Sequence, residues 1–277
     1  MRQSLKYIIF LVGIASIFAC EEVIDLDINQ APPQLVIDGL VSNDDTTHYV
    51  RVTRTADFYG NGGEDVTDAI VQVSDEIGNL YNYTHNPEGY DSLNGYYFSD
   101  QKFAGRTSGV YELNVDVDNQ IFFAIDTLRP ITPIDSLLIQ VDPRAEADPE
   151  SEGEIYQVLL YAQEPQETVD FYYFKFYRDS LLDGRDNIYV FDDKILGSTL
   201  NGLPSPILFK EGELASVEIY SLTRVQFVYL TDLGALMNGD GGMFSPPPAN
   251  PRTNISGGAL GLFQVSGISR GAILIVP

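Results

Sequence analysis

Between residues 34 and 127, apolar and polar residues alternate with the two-residue period of half-buried β-strands. Turn-forming residues separate the alternating runs, and no amphipathic helical pattern lies between them. The candidate strands are residues 35–37, 49–53, 69–73, 95–98, 110–115 and 121–125. This spacing predicts an all-β fold that begins with an Ig-like or fibronectin-like antiparallel β-sandwich over residues 34–128.

A second β-rich domain is predicted for residues 129–277, with one short helix and long loops. The prolines at its start favour a boundary, because proline cannot donate to a sheet ladder. Aromatic residues on both faces of the run 171–177 indicate a central strand that is covered on each side. The candidate strands are residues 136–141, 154–161, 169–177, 187–191, 214–222, 258–265 and 272–276, the helix is residues 225–237, and the loops are residues 144–154 and 238–254.

The first 19 residues have the order of a secretory signal peptide. Arg2 and Lys6 make a short basic start, and residues 7–18 are uncharged and mostly apolar. This apolar run is shorter than the roughly 20 residues that a membrane-spanning helix needs. The sequence therefore predicts that residues 1–19 are removed on export.

Cys20 is the only cysteine of the chain, and it follows the apolar run directly. Residues 17–20 resemble the bacterial lipobox, in which the cysteine receives the lipid. We therefore expect a lipoprotein with an acyl group on Cys20, followed by an acidic leash over residues 20–33. The alternative is ordinary cleavage near Ala19, with Cys20 incidental.

The chain is strongly acidic, with a net charge of −24. Removal of Arg2 and Lys6 with the signal peptide makes this −26. A field of this sign repels phosphate backbones, so nucleic acid is not an expected partner. A single cysteine rules out internal disulfides and zinc sites made of several thiolates. The chain has 17 tyrosines, 15 phenylalanines and no tryptophan. In the absence of tryptophan, tyrosine is the side chain that we expect to stack on a ligand.

No catalytic motif is recognisable. His48 and His85 lie in or beside predicted strands without a nucleophile motif, which indicates surface or edge residues. Pairs of acidic residues can act as general acid and base or can bind calcium through their oxygens. In so acidic a chain, the simpler interpretation is that these pairs lie in solvent-exposed turns. These pairs are Asp44–Asp45, Asp183 with Asp186, and Asp192–Asp193. We therefore predict no enzyme activity, no cofactor and no metal site.

Several segments, in order along the chain, resemble the Bacteroidota lipoprotein family catalogued as domain of unknown function 4249. These are residues 20–27, 35–41, 69–81, 109–115, 244–247, 254–255 and 257–263. The resemblance implies an outer-membrane lipoprotein, often encoded near TonB-dependent transporters, without established enzymatic activity. Glu21 and Glu22 match the acidic signal for export to the cell surface in Bacteroidota. The alternative is retention on the periplasmic face.

The same resemblance implies possible O-glycosylation, since exported Bacteroidota proteins often carry glycans on Asp-Ser/Thr followed by an apolar residue or Thr. The residues in such triplets are Thr46, Ser92, Thr127, Ser136 and Ser180. Thr46 and Ser92 lie in predicted turns and are the better candidates, because a bulky glycan needs a surface position. Short triplets also arise by chance in a chain rich in aspartate.

Two functions follow as expectations. The first is an accessory or interaction subunit of a TonB-dependent transporter or a larger outer-membrane complex, with the loops as contacts. Met243 and Phe244, beside three prolines, are candidate partner contacts, and the alternative is that Phe244 packs into the protein's own core. The second function is capture of a glycan, peptide or metal chelate, which an exposed Tyr/Phe platform would favour. A hydrolase with two carboxylates comes third.

Overall fold

The computed structural model describes residues 32–56, 63–163, 169–182, 188–192, 200–239 and 249–276. From Pro33 onward these residues belong to one compact unit. None of the helices that they form is long and apolar enough to cross a membrane.

Strands dominate the described part of the chain. In order they are β1 (Leu35–Ser42), β2 (Tyr49–Arg54), β3 (Ile70–Asp75), β4 (Leu80–His85), β5 (Tyr96–Ser99), β6 (Val110–Val117), β7 (Gln120–Thr127), β8 (Ile134–Val141), β9 (Tyr156–Ala162), β10 (Phe171–Arg178), β11 (Leu181–Leu182), β12 (Tyr189–Asp192), β13 (Leu200–Pro204), β14 (Leu214–Leu222), β15 (Leu260–Ser266) and β16 (Ile268–Leu274). The α-helices are α1 (Pro143–Glu146) and α2 (Arg224–Met237). Single 3₁₀ turns occur at Asp91–Leu93 and Pro149–Ser151.

The largest sheet has eight strands in the order β15-β1-β2-β5-β4-β3-β6-β7. β15 runs parallel to β1, and the other neighbours are antiparallel. Alternate side chains from all eight strands meet in one buried apolar cluster, so the sheet curls around a single core. Ala124 on the edge strand β7 bridges to Ile255, and this contact covers part of that edge.

Two smaller sheets follow in the second half of the chain. One has the order β11-β10-β14-β16, with β12 also paired to β10, and the other has the order β13-β9-β8. Leu160 of β9, Phe174 of β10 and Ile219 of β14 are buried in one cluster, so the inner faces of these two sheets pack on each other.

Helix α2 covers the first part of the outer face of β10. Thr223 caps its first turn, and the Gln226 side chain accepts a hydrogen bond from the Thr223 amide in return. Phe227 stacks on Phe171 of β10 with ring centres 4.7 Å apart. The inner face of β10 is buried, and α2 covers the outer face at its Phe171 end, so the cover on each side that the aromatic run 171–177 predicts is complete only at that end.

The prediction of an all-β chain is confirmed, and α2 coincides with the helix predicted at residues 225–237. Three strands were not predicted. The outward side chains of β4 are mostly polar, β11 has only two residues, and β13 contains Gly202 at a positive φ and ends at Pro204.

The stretch 144–154, predicted as a loop, contains helical turns. Asp142 and Asp148 each accept a hydrogen bond from the backbone amide two residues later, and a proline occupies the first position of each turn. Aspartate caps and first-turn proline both favour helix starts. The division of the chain near residue 128 stays a prediction, although β15 from the C-terminal part completes the N-terminal sheet.

Candidate functional site

Three strands of the first sheet carry a polar row on their outer face. Asp38 of β1, Arg51 of β2 and Tyr96 of β5 lie side by side in register. The adjacent residues Ile37 and Val50 are fully buried, so alternation directs Asp38, Arg51 and Tyr96 outward. The Arg51 guanidinium carbon lies 5.1 Å from the centre of the Tyr96 ring, which is cation–π distance.

The second sheet carries a related row on its outer face. Tyr173 and Lys175 of β10 lie opposite Tyr220 and Glu218 of β14. Phe174, between the two β10 residues, points inward and is buried. Lys175 Nζ lies 4.6 Å from the centre of the Tyr220 ring and 5.4 Å from that of Tyr173. The ammonium group therefore rests against two tyrosine rings.

Leu40 and helix α2 bring the two rows together. Leu40, on the outer face of β1, packs in one cluster with Tyr173 of β10 and Tyr229 of α2. Asp38 is two residues from Leu40, and Lys175 is two residues from Tyr173, so both charged groups lie beside this contact. We call the surface around it the tyrosine recess, which consists of Asp38, Tyr49, Tyr173, Lys175 and Tyr229.

Asp38 is the negative charge of the recess. Burial raises the pKa of its carboxyl group, and the positive charges of Lys175 and Arg51 offset part of the rise. The side chain is nevertheless open to solvent, so protein atoms surround it without sealing it off. Three tyrosine hydroxyls have a raised pKa, caused first by burial and next by the charge of Asp38: Tyr49, Tyr173 and Tyr229, the last at about 12.

Lys175 is the opposite charge of the recess. Burial lowers the pKa of its ammonium group, and the carboxylates of Glu218 and Asp38 act in the other direction. Among the described residues, no hydrogen bond or ion pair is made by the Asp38 carboxylate or the Lys175 ammonium. The recess thus holds one anion and one cation that are partly desolvated, and each has free hydrogen-bonding capacity.

The carboxylate of Glu218, which lies opposite Lys175, by contrast has three hydrogen-bond donors. It accepts hydrogen bonds of 2.7 Å from the Tyr177 and Tyr220 hydroxyls and from Arg270 Nε. Burial alone would raise the pKa of Glu218, but these three donors outweigh burial and lower it. Arg270 also forms a bidentate ion pair with Asp44. This network is an internal one and leaves Asp38 and Lys175 as the groups available to a ligand.

Two open hollows adjoin the recess. One has a volume of about 460 Å³ and shares Glu218 and Arg270 with the network just described. The other, of about 540 Å³, includes Phe98, whose ring lies 6.2 Å from that of Tyr96. The polar and aromatic surface therefore continues on both sides of the recess.

A separate apolar ridge runs along β7. Ile121, Phe123 and Ile125 are 62%, 46% and 53% exposed. Phe122 and Ala124, between them, point into the core. Three large apolar side chains in a row on one strand form a contiguous exposed apolar surface, which is more informative than single exposed residues.

Five of the residues predicted as functional from sequence lie outside the described residues. These are Cys20, the predicted lipid attachment site, Glu21 and Glu22, the predicted surface-export signal, and Met243 and Phe244, the predicted partner contacts. Their roles stay predictions.

The five candidate O-glycosylation residues differ in exposure. Ser92, Ser136 and Ser180 are exposed, and Thr46 and Thr127 are half-buried. Thr127 lies between the buried residues Asp126 and Leu128. Thr46, predicted as one of the better positions, pairs with Phe103 in an isolated β-bridge.

The prediction that both histidines lie at the surface is wrong for His48. His48 is buried, its Nε2 lies 2.9 Å from the Phe103 carbonyl oxygen, and burial lowers its pKa. The aromatic contact with Phe103 and this hydrogen bond allow the ring to sit inside. His85 is half-buried and accepts a hydrogen bond from the Gly95 amide. Within the described residues, no group of three or more His, Cys, Asp or Glu is placed to hold a metal ion.

Sequence reasoning did not single out the recess. The sequence feature that could have indicated it is a charged residue at an outward position of an otherwise apolar or aromatic strand. Such residues are Asp38, Arg51 and Lys175. The signal marks each residue as solvent-facing, but alternation does not say which strands become neighbours. The pairing of β1 with β2 and the packing of Leu40 against α2 bring these residues together.

Comparison with curated proteins gives no match. A protein-family model, described as a domain of unknown function (DUF4249), matches residues 21–271. This match covers nearly all of the chain that follows the predicted signal peptide. The chain therefore belongs to the DUF4249 family.

Proposed function

We propose that this chain is a bacterial outer-membrane lipoprotein, anchored through Cys20 on the extracellular face, that captures a ligand in the tyrosine recess. The observation that carries the proposal is the pair formed by Asp38 and Lys175. Both are charged and partly desolvated, and neither has a hydrogen-bonding partner among the described residues. Partly desolvated charges without partners carry a free-energy cost in a folded protein, and a ligand that satisfies them recovers part of that cost.

Tyrosines around these charges support a binding role. Tyr49, Tyr173 and Tyr229 come from three different elements, β2, β10 and α2, so the surface is held by the scaffold and not by one loop. Tyrosine combines a large apolar ring with a polar tip, which suits contact with small ligands. Rigid elements position such groups better than flexible loops do.

The capture function is tested by what the protein retains. The lipidated protein is purified from its own membranes in mild detergent, and native mass spectrometry detects bound small molecules. We expect a bound molecule on the wild type and its loss from the Lys175→Met variant. Glu150→Gln, which changes a charge in an exposed turn, is the control and should behave as the wild type. An equal small-molecule content in all three proteins contradicts the proposal.

Anchoring is tested separately. A Cys20→Ser variant should leave the outer-membrane fraction, because stable anchoring needs acyl chains on this residue. Protease added to intact cells should digest the wild type, and replacement of Glu21 and Glu22 by Ala should leave the protein anchored but protected. Wild-type protein that resists protease in intact cells rules out the extracellular location.

The apolar ridge of β7 favours a second candidate function, that of an accessory subunit bound to an outer-membrane β-barrel of the TonB-dependent transporter type. Exposed rows of large apolar side chains mark interaction surfaces. Simultaneous replacement of Ile121, Phe123 and Ile125 by Ser should release a co-purified barrel protein without a large change in melting temperature. Met243→Ala with Phe244→Ala tests the loop contact predicted from sequence in the same way. A barrel that stays bound in both variants contradicts this candidate.

A further inference from the structure

We infer that the ligand of the tyrosine recess is a zwitterionic amino compound, an amino acid or a short peptide, whose ammonium group binds at Asp38 and whose carboxylate binds at Lys175. This inference rests on the proposed capture function and specifies its ligand. The charges are of opposite sign, the packing of Leu40 and Tyr173 in one cluster brings their strands together, and no ion pair joins them.

The surroundings of Asp38 suit an ammonium group. Three tyrosines are close enough to Asp38 for its charge to affect their titration, namely Tyr49, Tyr173 and Tyr229. Aromatic faces around a carboxylate attract organic cations through the ring quadrupole. The overall net charge of −24 acts in the same direction at longer range.

The surroundings of Lys175 suit a carboxylate. Its ammonium is held over the Tyr173 and Tyr220 rings, which fixes its position. Glu218, the nearest acidic side chain in the strand register, is occupied by Tyr177, Tyr220 and Arg270 and does not hydrogen-bond to Lys175. The donors of Lys175 therefore remain available, and a charge-assisted hydrogen bond to a carboxylate is among the stronger polar contacts.

A purely cationic or purely anionic ligand fits less well. A cation alone would satisfy Asp38 but would lie near Lys175 and Arg51, whose positive charges offset part of the rise that burial causes in the pKa of Asp38. An anion alone would satisfy Lys175 but would face Asp38 within a strongly acidic protein. Only a ligand with both charges pairs each group without adding repulsion.

The test titrates the full lipidated protein in detergent, by calorimetry, with each of the twenty L-amino acids, dialanine and trialanine. Choline and maltotriose serve as probes of other ligand classes. We expect at least one amino acid or peptide to bind. Asp38→Asn and Lys175→Met should each weaken that binding by about tenfold or more. Glu150→Gln should leave it unchanged.

Modified forms of the tightest probe assign each charge. The N-acetylated form should bind the wild type more weakly, and Asp38→Asn should cause no further loss. The amidated form should also bind the wild type more weakly, and Lys175→Met should then cause no further loss. Melting temperatures confirm that the variants fold, and Lys175→Gln replaces Lys175→Met if the latter does not.

The outcomes separate the ligand class from the capture function. The inference is overturned if none of the amino acids or peptides binds, or if both charge variants bind as the wild type does. Binding of choline or maltotriose that depends on the recess would overturn the ligand class and leave the capture function standing. If no probe binds and no small molecule co-purifies, both fail.

Discussion

Gln226 Nε2 donates a 2.5 Å hydrogen bond to Oδ2 of Asp126 and so ties the first turn of α2 to the end of β7. The same amide group donates to the Val265 carbonyl at 3.1 Å, and its oxygen accepts from the Thr223 amide. Both side chains are buried. Burial raises the pKa of Asp126 to about 7, although hydrogen bonds from the Thr127 amide and from Gln226 limit the rise.

Asp126 should make the stability of the protein depend on pH. Its pKa is about 7 in the folded state against an ordinary value of 3.8 for an aspartate. Between these values the folded state binds more protons than the unfolded state, so the stabilising contribution is complete below pH 3.8 and is lost as the pH rises through 7. From pH 4.5 to pH 8, we expect this residue to lower the free energy of unfolding by roughly 3 kcal/mol.

Other acids titrate in the same experiment, so the measurement compares two proteins. Urea unfolding of the wild type and of Asp126→Asn is measured at pH 4.5 and pH 8. The asparagine variant lacks the charge that burial disfavours, so its stability relative to the wild type should rise between the two pH values. A difference between the two proteins that is the same at both pH values would refute the assignment of the titration to Asp126.

Tyr83 and Tyr97 form a matched pair for a second prediction. Both are buried in the core of the first sheet, but the Tyr83 hydroxyl has no hydrogen-bond partner among the described residues. The Tyr97 hydroxyl accepts from the Ala69 amide at 2.8 Å and donates to the Val66 carbonyl at 3.0 Å. Tyr83→Phe should therefore be neutral or stabilising, and Tyr97→Phe should cost roughly 1–3 kcal/mol.

Thermal and urea unfolding of the two variants, each compared with the wild type, checks this difference. Both substitutions remove one hydroxyl group and keep the ring, so core packing changes little. Equal losses of stability in the two variants would contradict the hydrogen-bond assignment.

The strands were largely predictable from sequence, because burial of one face imposes the alternation of Leu113, Val115 and Val117. The pairing of distant segments was not predictable. β15 lies beside β1 and runs parallel to it, although more than 200 residues separate them. Periodicity reports which side of a strand is buried and does not identify its partner, so Asp38 and Lys175 could not be brought together from sequence.

Gly261 shows why the β1–β15 pairing depends on one residue. It has φ +103, and a Cβ atom at this position would lie 1.9 Å from the Ile37 carbonyl oxygen. Gly258 has a similar φ of +88, but no described atom lies within 4 Å of its Cβ position. Gly258→Ala should therefore cost about 1–2 kcal/mol, the strain of the left-handed conformation alone.

Gly261→Ala should cost more than about 3 kcal/mol or prevent folding, because strain adds to a backbone clash. Urea unfolding of both variants, together with soluble yield, measures the difference. Similar stability of the two variants would show that β15 shifts away from β1 at little cost.

Arg270 of β16 binds two carboxylates, and one of them, Asp44 before β2, lies 226 positions away in the sequence. Its Nε donates to Glu218, and its two terminal nitrogens contact the two carboxylate oxygens of Asp44. These contacts lower the pKa of Asp44 and contribute to the lowered pKa of Glu218. A lowered carboxyl pKa means that the stabilisation is present above the unfolded pKa and is lost as the pH falls through the folded one.

Arg270→Met should therefore destabilise the protein at pH 7 by roughly 1–2 kcal/mol, a modest value because the arginine is partly exposed. The difference from the wild type should shrink as the pH falls below the ordinary pKa values of 3.8 for Asp44 and 4.5 for Glu218, because the carboxylates of the unfolded chain become protonated there. Arg270→Lys is the control: it keeps the charge but not the planar fork, so it should recover only part of the loss. Urea unfolding at pH 7 and pH 3.5 measures all three proteins. If the methionine variant loses as much at pH 3.5 as at pH 7, the stabilisation comes from packing of the Arg270 stem and not from its ion pairs.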